Sequence, residues 1–235
     1  KDLLAKIGHV VVLRGGVSSE REISLASGAA VFAGLQRLGA QVSEIDVTND
    51  VIERLVELKP DLAFIALHGQ NGEDGVIQGL LEVMGISYTG SGVLSSALAM
   101  NKIVSKQVWR QRELKTPDYE LLNAHSDWGK VIEKLNKVVV KPVSGGSSLG
   151  ISMTRSSTEL KSYYEEALDY GSEVFAEQCI EGVEFSTGVL GDEIFPTLQL
   201  ETSRQFFDYE AKYIDSNTKI ICPPKLSGNE LEELE

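Results

Sequence analysis

Apolar residues in the first part of the chain form short runs that alternate with stretches of helical periodicity. A short apolar run bounded by glycine or polar residues predicts a buried strand, whereas apolar positions three and four residues apart predict a helix. The predicted strands span His9–Leu13, Gln41–Val47 and Leu62–Leu67. One predicted helix ends at Leu38, and a second spans Val51–Leu58. Strands that alternate with helices predict an α/β fold with a doubly wound, Rossmann-like parallel sheet, in which ligands bind at the carboxyl ends of the strands.

The periodicity changes after Gly92, and the rest of the chain predicts a mixed α+β arrangement. Helical residues run from Val93 to Leu114, and Pro117 ends that pattern. The next predicted elements are a helix, an apolar strand and a hairpin that turns at Gly191–Asp192; they span Thr158–Tyr170, Val174–Gln178, Glu184–Leu190 and Glu193–Leu200. Residues 201–224 are polar and weakly periodic, which predicts a long loop.

Composition excludes several partners. The formal net charge of −13, with no basic stripe to offset it, argues against binding to nucleic acid or to an anionic membrane. No apolar run is long enough to span a membrane.

Cys179 and Cys222 lie far apart and outside any CxxC spacing, which favours reduced thiols in a cytoplasmic protein. Because the chain opens on Lys1 and stops within the helical pattern of Asn229–Glu235, we expect a piece of a longer protein.

The stretch Val138–Gly150 begins with a β-branched run that ends at Lys141. It continues as a loop of glycines and serines. Backbone N–H groups and hydroxyls around one concavity, beside a cation on a strand, suit a polyphosphate. The stretch has no Gly-Lys-Ser/Thr and no helical pattern behind it, so it is not a Walker loop. A flap over a nucleotide and a plain hairpin turn are both consistent with the loop alone.

Two residues near the carboxyl ends of predicted strands could bind a substrate. Ser19 and Glu22 have capping-box spacing, which leaves Glu20 in the first helical turn. There its carboxylate could bind a substrate ammonium or only complement the helix dipole. His68 follows the third predicted strand and precedes a glycine-rich loop, so we expect it to position a ligand, although a structural histidine is the commoner case.

Further candidates lie on separate elements. Lys102 and Lys141 could both reach the phosphates of one nucleotide, although each alone is typical of a surface lysine. The strand end Glu177–Ile180 could offer backbone groups to adenine. Residues 206–213 contain four aromatic residues and could form a lid that excludes water, or an exposed loop.

Taken together, these segments resemble the D-alanine–D-alanine ligases of the ATP-grasp superfamily. The resemblance covers nearly the whole chain in order, through residues 15–24, 68–75, 88–92, 100–102, 141–150, 181–185 and 207–213. It implies an N-terminal α/β substrate domain over residues 1–92 and a central ATP-grasp domain with the glycine-rich loop over residues 93–181. Residues 182–235 would then be the start of a truncated C-terminal ATP-grasp domain that includes the lid.

The resemblance implies synthesis of D-alanyl-D-alanine for peptidoglycan precursors in the cytoplasm. ATP would phosphorylate the carboxylate of a first D-alanine, and the amine of a second D-alanine would displace phosphate from the acyl phosphate. Phosphoryl transfer depends on positioning and charge neutralisation, and an acyl phosphate must be shielded from water, which gives the lid a purpose. The implied partners are ATP, D-alanine and a second copy of the chain in a homodimer, with no nucleic acid and no membrane.

Site residues carried over by motif form a substrate group and a nucleotide group. Glu20 would bind the ammonium of the first D-alanine, with His68 nearby. Ser147 and Tyr213 would bond with Glu20 and latch the lid, which makes these three the implied catalytic residues. The residues implied to contact ATP are Lys102, Lys141, Ser147, Ser148, Glu177, Gln178, Cys179, Ile180, Glu184 and Lys212, with Glu184 on the ribose hydroxyls.

The chain departs from the family's pattern at two residues and in one segment. Asn101 stands where the family usually has aspartate, and Gln178 stands where lysine is common. The family's ligands for Mg²⁺ (or Mn²⁺) lie in an acidic, asparagine-bearing segment further along, so we expect no metal ligands in this chain.

The sequence leaves three other functions open. A D-alanine–D-lactate type ligase is disfavoured by Tyr213, because relatives of that type lack the matching tyrosine. A nucleotide-binding fragment without catalysis is consistent with the missing metal ligands. The glycines Gly15–Gly16 after a predicted strand suggest a dinucleotide oxidoreductase. The absence of a G-x-G-x-x-G pattern makes that function weakly supported.

Overall fold

The computed structural model describes residues 6–202 and 217–234, which form two compact units. The first unit holds the described residues up to Thr116 together with Val143–Gly145. The second holds Pro117–Pro142 and the described residues from Gly146 onward. The division into three domains after residues 92 and 181 stays a prediction.

The first unit contains a four-stranded sheet, with helices between its strands. Its elements are β1 (Val10–Arg14), α1 (Arg21–Arg37), β2 (Val42–Asp46), α2 (Val51–Leu58), β3 (Leu62–Ile65), α3 (Val76–Met84), β4 (Ser87–Tyr88), α4 (Val93–Met100) and α5 (Lys102–Gln111). All four strands are parallel in the order β2-β1-β3-β4. The doubly wound sheet predicted from the alternating pattern is therefore confirmed.

Alternating residues of β1 face opposite sides of this sheet. Val11 and Leu13 are fully buried in a core that α2 and α3 complete with Leu55 and Leu81. Arg14 faces the other side, against α1, where a Cβ on Gly28 would lie only 2.5 Å from the Arg14 Cβ. The glycine at position 28 thus allows α1 to approach the sheet closely.

Two details of the predicted helices were wrong. The helix α1 has Glu20 as its N-cap, without a side-chain capping bond, so the capping box of Ser19 and Glu22 does not form. The predicted helix after Gly92 is two helices, because Asn101 adopts an extended conformation between them and caps α5. Asparagine is a strong N-cap, which makes it a natural point for one helix to end and another to begin.

The second unit is built around an antiparallel sheet. Its elements are β5 (Tyr119–Leu122), α6 (Trp128–Leu135), β6 (Val138–Pro142), β7 (Ser152–Thr154), α7 (Ser157–Ala167), β8 (Val174–Gln178), β9 (Glu184–Ser186), β10 (Val189–Leu190), β11 (Glu193–Ile194), β12 (Leu198–Glu201), β13 (Lys219–Ile221) and α8 (Gly228–Leu234). The main sheet has the order β5-β8-β6-β7, and α6 and α7 bury one of its faces.

The strands of the smaller sheets differ from the predicted hairpin. The turn at Gly191–Asp192 is present between β10 and β11, but each long predicted strand is divided in two, and β9 pairs with β12. Strand β13 lies inside the predicted loop of residues 201–224 and pairs with β12. The proposed lid, residues 206–213, lies outside the described residues. None of the described helices is both long and apolar enough to cross a membrane.

Candidate functional site

The uncovered face of the main antiparallel sheet borders a cavity of about 600 Å³. In β6, Val138 and Val140 face the core under the helices, so Val139 and Lys141 face the cavity. Most of the predicted ATP-contacting residues of this unit line the same cavity; they are Lys141, Ser148, Glu177, Gln178, Cys179, Ile180 and Glu184. A cavity of this size, with apolar walls and a few polar groups, is typical of a small-molecule site.

Sequence reasoning missed the apolar wall of this cavity. Val139, Ile151 and Met153 line it together with Pro117. Val139 pairs with Met153 on β7 and with Glu177 on β8, so these three side chains share one face of the sheet. The β-branched run at residues 138–140 could have indicated this wall. Successive side chains of a strand face opposite sides of the sheet, so Val139 lies on the face that the helices leave uncovered.

Lys141 and Glu177 form an ion pair in the cavity wall. Their side chains are only 19% and 11% exposed, and the Lys141 ammonium also lies 5.9 Å from the centre of the Phe175 ring. The pair places a hydrogen-bond donor beside an acceptor in a partly desolvated wall.

The segment Glu177–Ile180 is held by bonds on both sides. The N–H of Gln178 donates to the Asp118 carbonyl, and the N–H of Cys179 donates to the Lys137 carbonyl, both at 2.8 Å. The ammonium of Lys137 also binds the Glu181 carboxylate at 2.8 Å, which lowers the pKa of Glu181 and raises that of Lys137. Two N–H groups of the predicted adenine edge are thus already used within the fold.

The glycine-rich loop connects the antiparallel strands β6 and β7 as a hairpin. Ser147 and Ser148 both have positive φ, at 52° and 60°, and the Leu149 N–H donates to the Gly146 carbonyl at 3.2 Å. Two successive left-handed residues are the signature of a type I′ turn, which here lies within the connection between Pro142 and Ser152. Ser148 lines the cavity from this turn, and the role of the loop as a flap over ATP stays a prediction.

Lys102 lies in the first unit, at the start of α5. Its ammonium donates to the Gly145 carbonyl at 2.8 Å, and its backbone N–H donates to the Val143 carbonyl at 3.0 Å. Asn101 accepts bonds from the N–H groups of Ile103 and Val104, as an aspartate would. Lys102 therefore holds the first residues of the glycine-rich loop, and its contact with phosphates stays a prediction.

Glu20 and His68 lie at the carboxyl edge of the parallel sheet. Glu20 is buried, with 5% exposed, and follows the loop after β1, while His68 follows β3. A Cβ on Gly69 would lie 2.6 Å from Glu20 Oε2, so the carboxylate packs directly against the Gly69 backbone. The Gly69 N–H donates to Glu73 Oε2 at 2.7 Å. The structure thus brings together the two residues predicted to bind the first substrate.

Two serines that sequence reasoning did not single out join the loops after β1 and β3. Ser18 Oγ accepts from the Glu20 N–H at 3.1 Å and donates to the His68 carbonyl at 2.7 Å. Ser24, fully buried, accepts from the Gly15 N–H at 2.8 Å and donates to the Ala66 carbonyl at 2.7 Å. Each hydroxyl therefore connects two loops that approach each other only in the folded sheet.

The ion pair of Arg21 and Asp46 fixes the start of α1 against the end of β2. Two guanidinium nitrogens bind the two Asp46 oxygens at 2.7 and 2.5 Å. The hydrogen bond from Arg21 lowers the pKa of Asp46 below its ordinary value. Bidentate geometry of this kind orients both partners.

The remaining predicted site residues are only partly described. Lys212 and Tyr213 lie outside the described residues. Ser147 belongs to the second unit, and its bond with Glu20 stays a prediction. Among the residues that the structure describes, no group of three or more His, Cys, Asp or Glu side chains could hold a metal ion.

Comparison with known proteins gives one consistent family. The family models described as D-ala D-ala ligase N-terminus and C-terminus match residues 52–91 and 108–235. The D-alanine–D-alanine ligase of Nitrosococcus oceani is 45% identical across 97% of this chain and 72% of its own length.

Solved structures of the ligase from Bacillus anthracis agree with this chain in fold. One superposes with a TM-score of 0.80 and 36% identity, covering 96% of this chain and 74% of its own. A second structure of the same ligase, complexed with ATP, superposes with a TM-score of 0.79 and 33% identity. It covers 96% of this chain and 73% of its own. The chain therefore belongs to the D-alanine–D-alanine ligase family.

Proposed function

We propose that this protein joins two D-alanine molecules into D-alanyl-D-alanine at the expense of ATP, for peptidoglycan precursor synthesis. The observation that carries the proposal is the cavity of the second unit, which is lined by most of the residues of that unit that are predicted to contact the nucleotide. Relatives that carry this ligase name, and one relative complexed with ATP, support it.

The proposed nucleotide site uses the segment Glu177–Ile180 to bind adenine, while Lys141, the ion-pair partner of Glu177, is left to the phosphates. Adenine presents an amino donor, which matches the Glu177 carboxylate as an acceptor. Guanine presents an oxygen in place of the amino group, so a carboxylate at this position would disfavour it. The Glu184 carboxylate in the same cavity can accept bonds from the ribose hydroxyls.

The proposed substrate site uses the Glu20 carboxylate to bind the ammonium of the first D-alanine. Glu20 lies at the carboxyl edge of the parallel sheet, where ligands bind, and a carboxylate there can accept charge-assisted hydrogen bonds from a substrate ammonium. His68 lies beside it and positions the substrate, while Ser147 and Tyr213 would hold Glu20 when the lid closes.

The reaction would proceed in two displacements. A carboxylate oxygen of the first D-alanine attacks the γ-phosphorus of ATP, and ADP leaves. The neutral amine of the second D-alanine then attacks the carbonyl carbon, loses a proton, and inorganic phosphate leaves. Lys102, Lys141 and Lys212 would offset phosphate charge, which is the main requirement of phosphoryl transfer. The magnesium requirement stays a prediction.

A coupled assay of phosphate release tests this function. We expect release to require both ATP and D-alanine, with L-alanine inactive. Glu20→Gln should raise the KM for D-alanine at least about tenfold, because it removes the charge that binds the ammonium. Glu22→Gln is the matched control, since Glu22 lies in the same helical turn but is exposed.

Two results would contradict the proposal. A requirement for D-lactate as second substrate would indicate a depsipeptide-forming ligase. Binding of ATP without phosphate release would indicate a nucleotide-binding protein without catalysis.

We also propose a cytoplasmic homodimer, as the family resemblance implies. ATP and reduced thiols are both typical of that compartment. Light scattering on the purified protein should give twice the mass of one chain, and a monomer mass at micromolar concentration would contradict the dimer.

A further inference from the structure

The hydroxyl of Ser18 is the direct link between the backbones of the two proposed substrate residues. It accepts from the Glu20 N–H at 3.1 Å and donates to the His68 carbonyl at 2.7 Å. Ser18 also packs on Gly69, where an added Cβ would lie 3.2 Å from the Ser18 Cβ. Ser18 and Glu20 thus enclose the Gly69 backbone.

The neighbouring serine has a different environment. Ser19 is exposed, whereas Ser18 is half-buried and uses both its donor and its acceptor. The two residues carry the same chemical group in the same loop, so any difference between them reflects position alone.

The fold does not depend on Ser18 to join the same loops. The fully buried Ser24 makes a parallel bridge between Gly15 and Ala66, one step closer to the sheet. Loss of the Ser18 hydroxyl should therefore leave the sheet edge intact while it releases Glu20 from His68.

We propose that Ser18 is a positioning residue for the first D-alanine, because its hydroxyl sets the Glu20 carboxylate relative to His68. This inference rests on the proposed function. Ser18 itself does not contact the reacting atoms; it acts through Glu20.

Three variants of the whole protein test the inference, namely Ser18→Ala, Ser18→Thr and Ser19→Ala. Phosphate release measured over a wide range of D-alanine concentration gives a KM for each of the two D-alanine subsites. We expect Ser18→Ala to raise the KM of the first subsite about five- to tenfold, as for one lost hydrogen bond to an ordered site. The KM for ATP and the melting temperature should match those of Ser19→Ala.

Retention of the hydroxyl separates positioning from general destabilisation. Ser18→Thr keeps the donor and acceptor and should restore the first-subsite KM to within twofold of wild type. Equal behaviour of Ser18→Ala and Ser19→Ala would overturn the inference. So would a rise in the KM for ATP as large as the rise for D-alanine, or a threonine variant as impaired as the alanine variant.

Hydrogen exchange at the Glu20 amide distinguishes failure of this inference from failure of the proposed function. A wild-type protein that releases no phosphate with ATP and D-alanine refutes the function. In that event Ser18→Ala must still accelerate exchange at Glu20 relative to Ser19→Ala, because the Glu20 N–H loses its acceptor. Equal exchange rates would refute the position assigned to Ser18.

Discussion

Lys141 and Glu177 place opposite charges side by side in the wall of the nucleotide cavity, on adjacent strands. Lys141 pairs across the sheet with Phe175, and Glu177 pairs with Val139, so the two charged side chains lie diagonally on the cavity face. Each charge lowers the cost of burying the other, and removal of one takes the opposite charge away from the other in a partly desolvated wall. The pair therefore contributes both to the stability of the sheet and to the proposed binding of ATP.

Glu177→Gln should weaken ATP binding by at least about tenfold, which corresponds to about 1.4 kcal/mol. The amide keeps the shape but loses the charge that orients Lys141 and accepts from adenine. Calorimetric titration with a non-hydrolysable ATP analogue measures the change. Glu165→Gln is the control, because Glu165 pairs with Lys161 at 3.9 Å on an exposed helix surface, where such pairs contribute little. Equal ATP affinity of the two variants would contradict the assigned role.

At the scale of elements, Asn101 separates α4 from α5 and caps the helix that begins at Lys102. Its side-chain oxygen satisfies two N–H groups of the first turn of α5. The aspartate usual in the family would supply the same acceptor, so this departure preserves the local structure.

Asn101→Ala should destabilise the protein by about 1 kcal/mol, because two N–H groups of the helix start lose their acceptor. The midpoint of thermal or urea unfolding measures the loss. Asn101→Asp is the matched control and should keep the wild-type midpoint within error. An alanine variant as stable as the aspartate variant would show that the cap contributes nothing to stability.

The Arg21–Asp46 pair connects α1 to β2 and makes stability depend on pH. The hydrogen bond from Arg21 lowers the folded-state pKa of Asp46 below the ordinary value of an aspartate. A lowered carboxyl pKa contributes stability that is present above the unfolded pKa and is lost as pH falls through the folded pKa. The side chains are about two-fifths exposed, at 38% and 40%, so solvent and salt screen the effect.

We expect stability to fall below about pH 4, and we expect Asp46→Asn to reduce that dependence. Urea unfolding between pH 2 and pH 7, at low and at high salt, measures it. Glu53→Gln provides a control, since Glu53 is an exposed acidic residue in the first turn of α2. An unchanged pH profile in Asp46→Asn would show that other carboxylates dominate acid unfolding.

At the scale of the whole molecule, the two units each contain their own core and their own part of the proposed chemistry. The first core lies under the parallel sheet, and the second lies between the antiparallel sheet and helices α6 and α7. The proposed D-alanine residues Glu20 and His68 belong to the first unit, and the nucleotide cavity belongs to the second.

Separate ligands should therefore protect separate parts of the chain from hydrogen exchange. ATP alone should slow exchange in the residues around the cavity, at 139–148 and 177–184. D-alanine alone should slow exchange at residues 15–20 and 68–69. A ligand at 100 times its Kd stabilises the bound state by about 2.7 kcal/mol, which is readily measured. Protection by ATP confined to residues 15–20 would contradict the assignment of the cavity.

The elements that sequence predicts best are those with a strong local period. Helix α2 and strand β8 have the predicted bounds, because an amphipathic helix and an apolar strand each carry their pattern in consecutive residues. Strand β13 was missed because it is short and mostly exposed, and it forms only by pairing with β12. The break at Asn101 was missed because apolar periodicity continues across it.

Sequence by itself determined the α/β alternation, the family motifs and the identity of the candidate residues, since these depend on residue types at fixed spacings along the chain. Only the tertiary structure decided that Glu177 pairs with Lys141, that Gly69 supports the Glu20 carboxylate, and that Ser18 connects Glu20 to His68. These contacts join residues that are distant in sequence. They are specified by strand register and by the approach of loops at one sheet edge, which local periodicity does not encode.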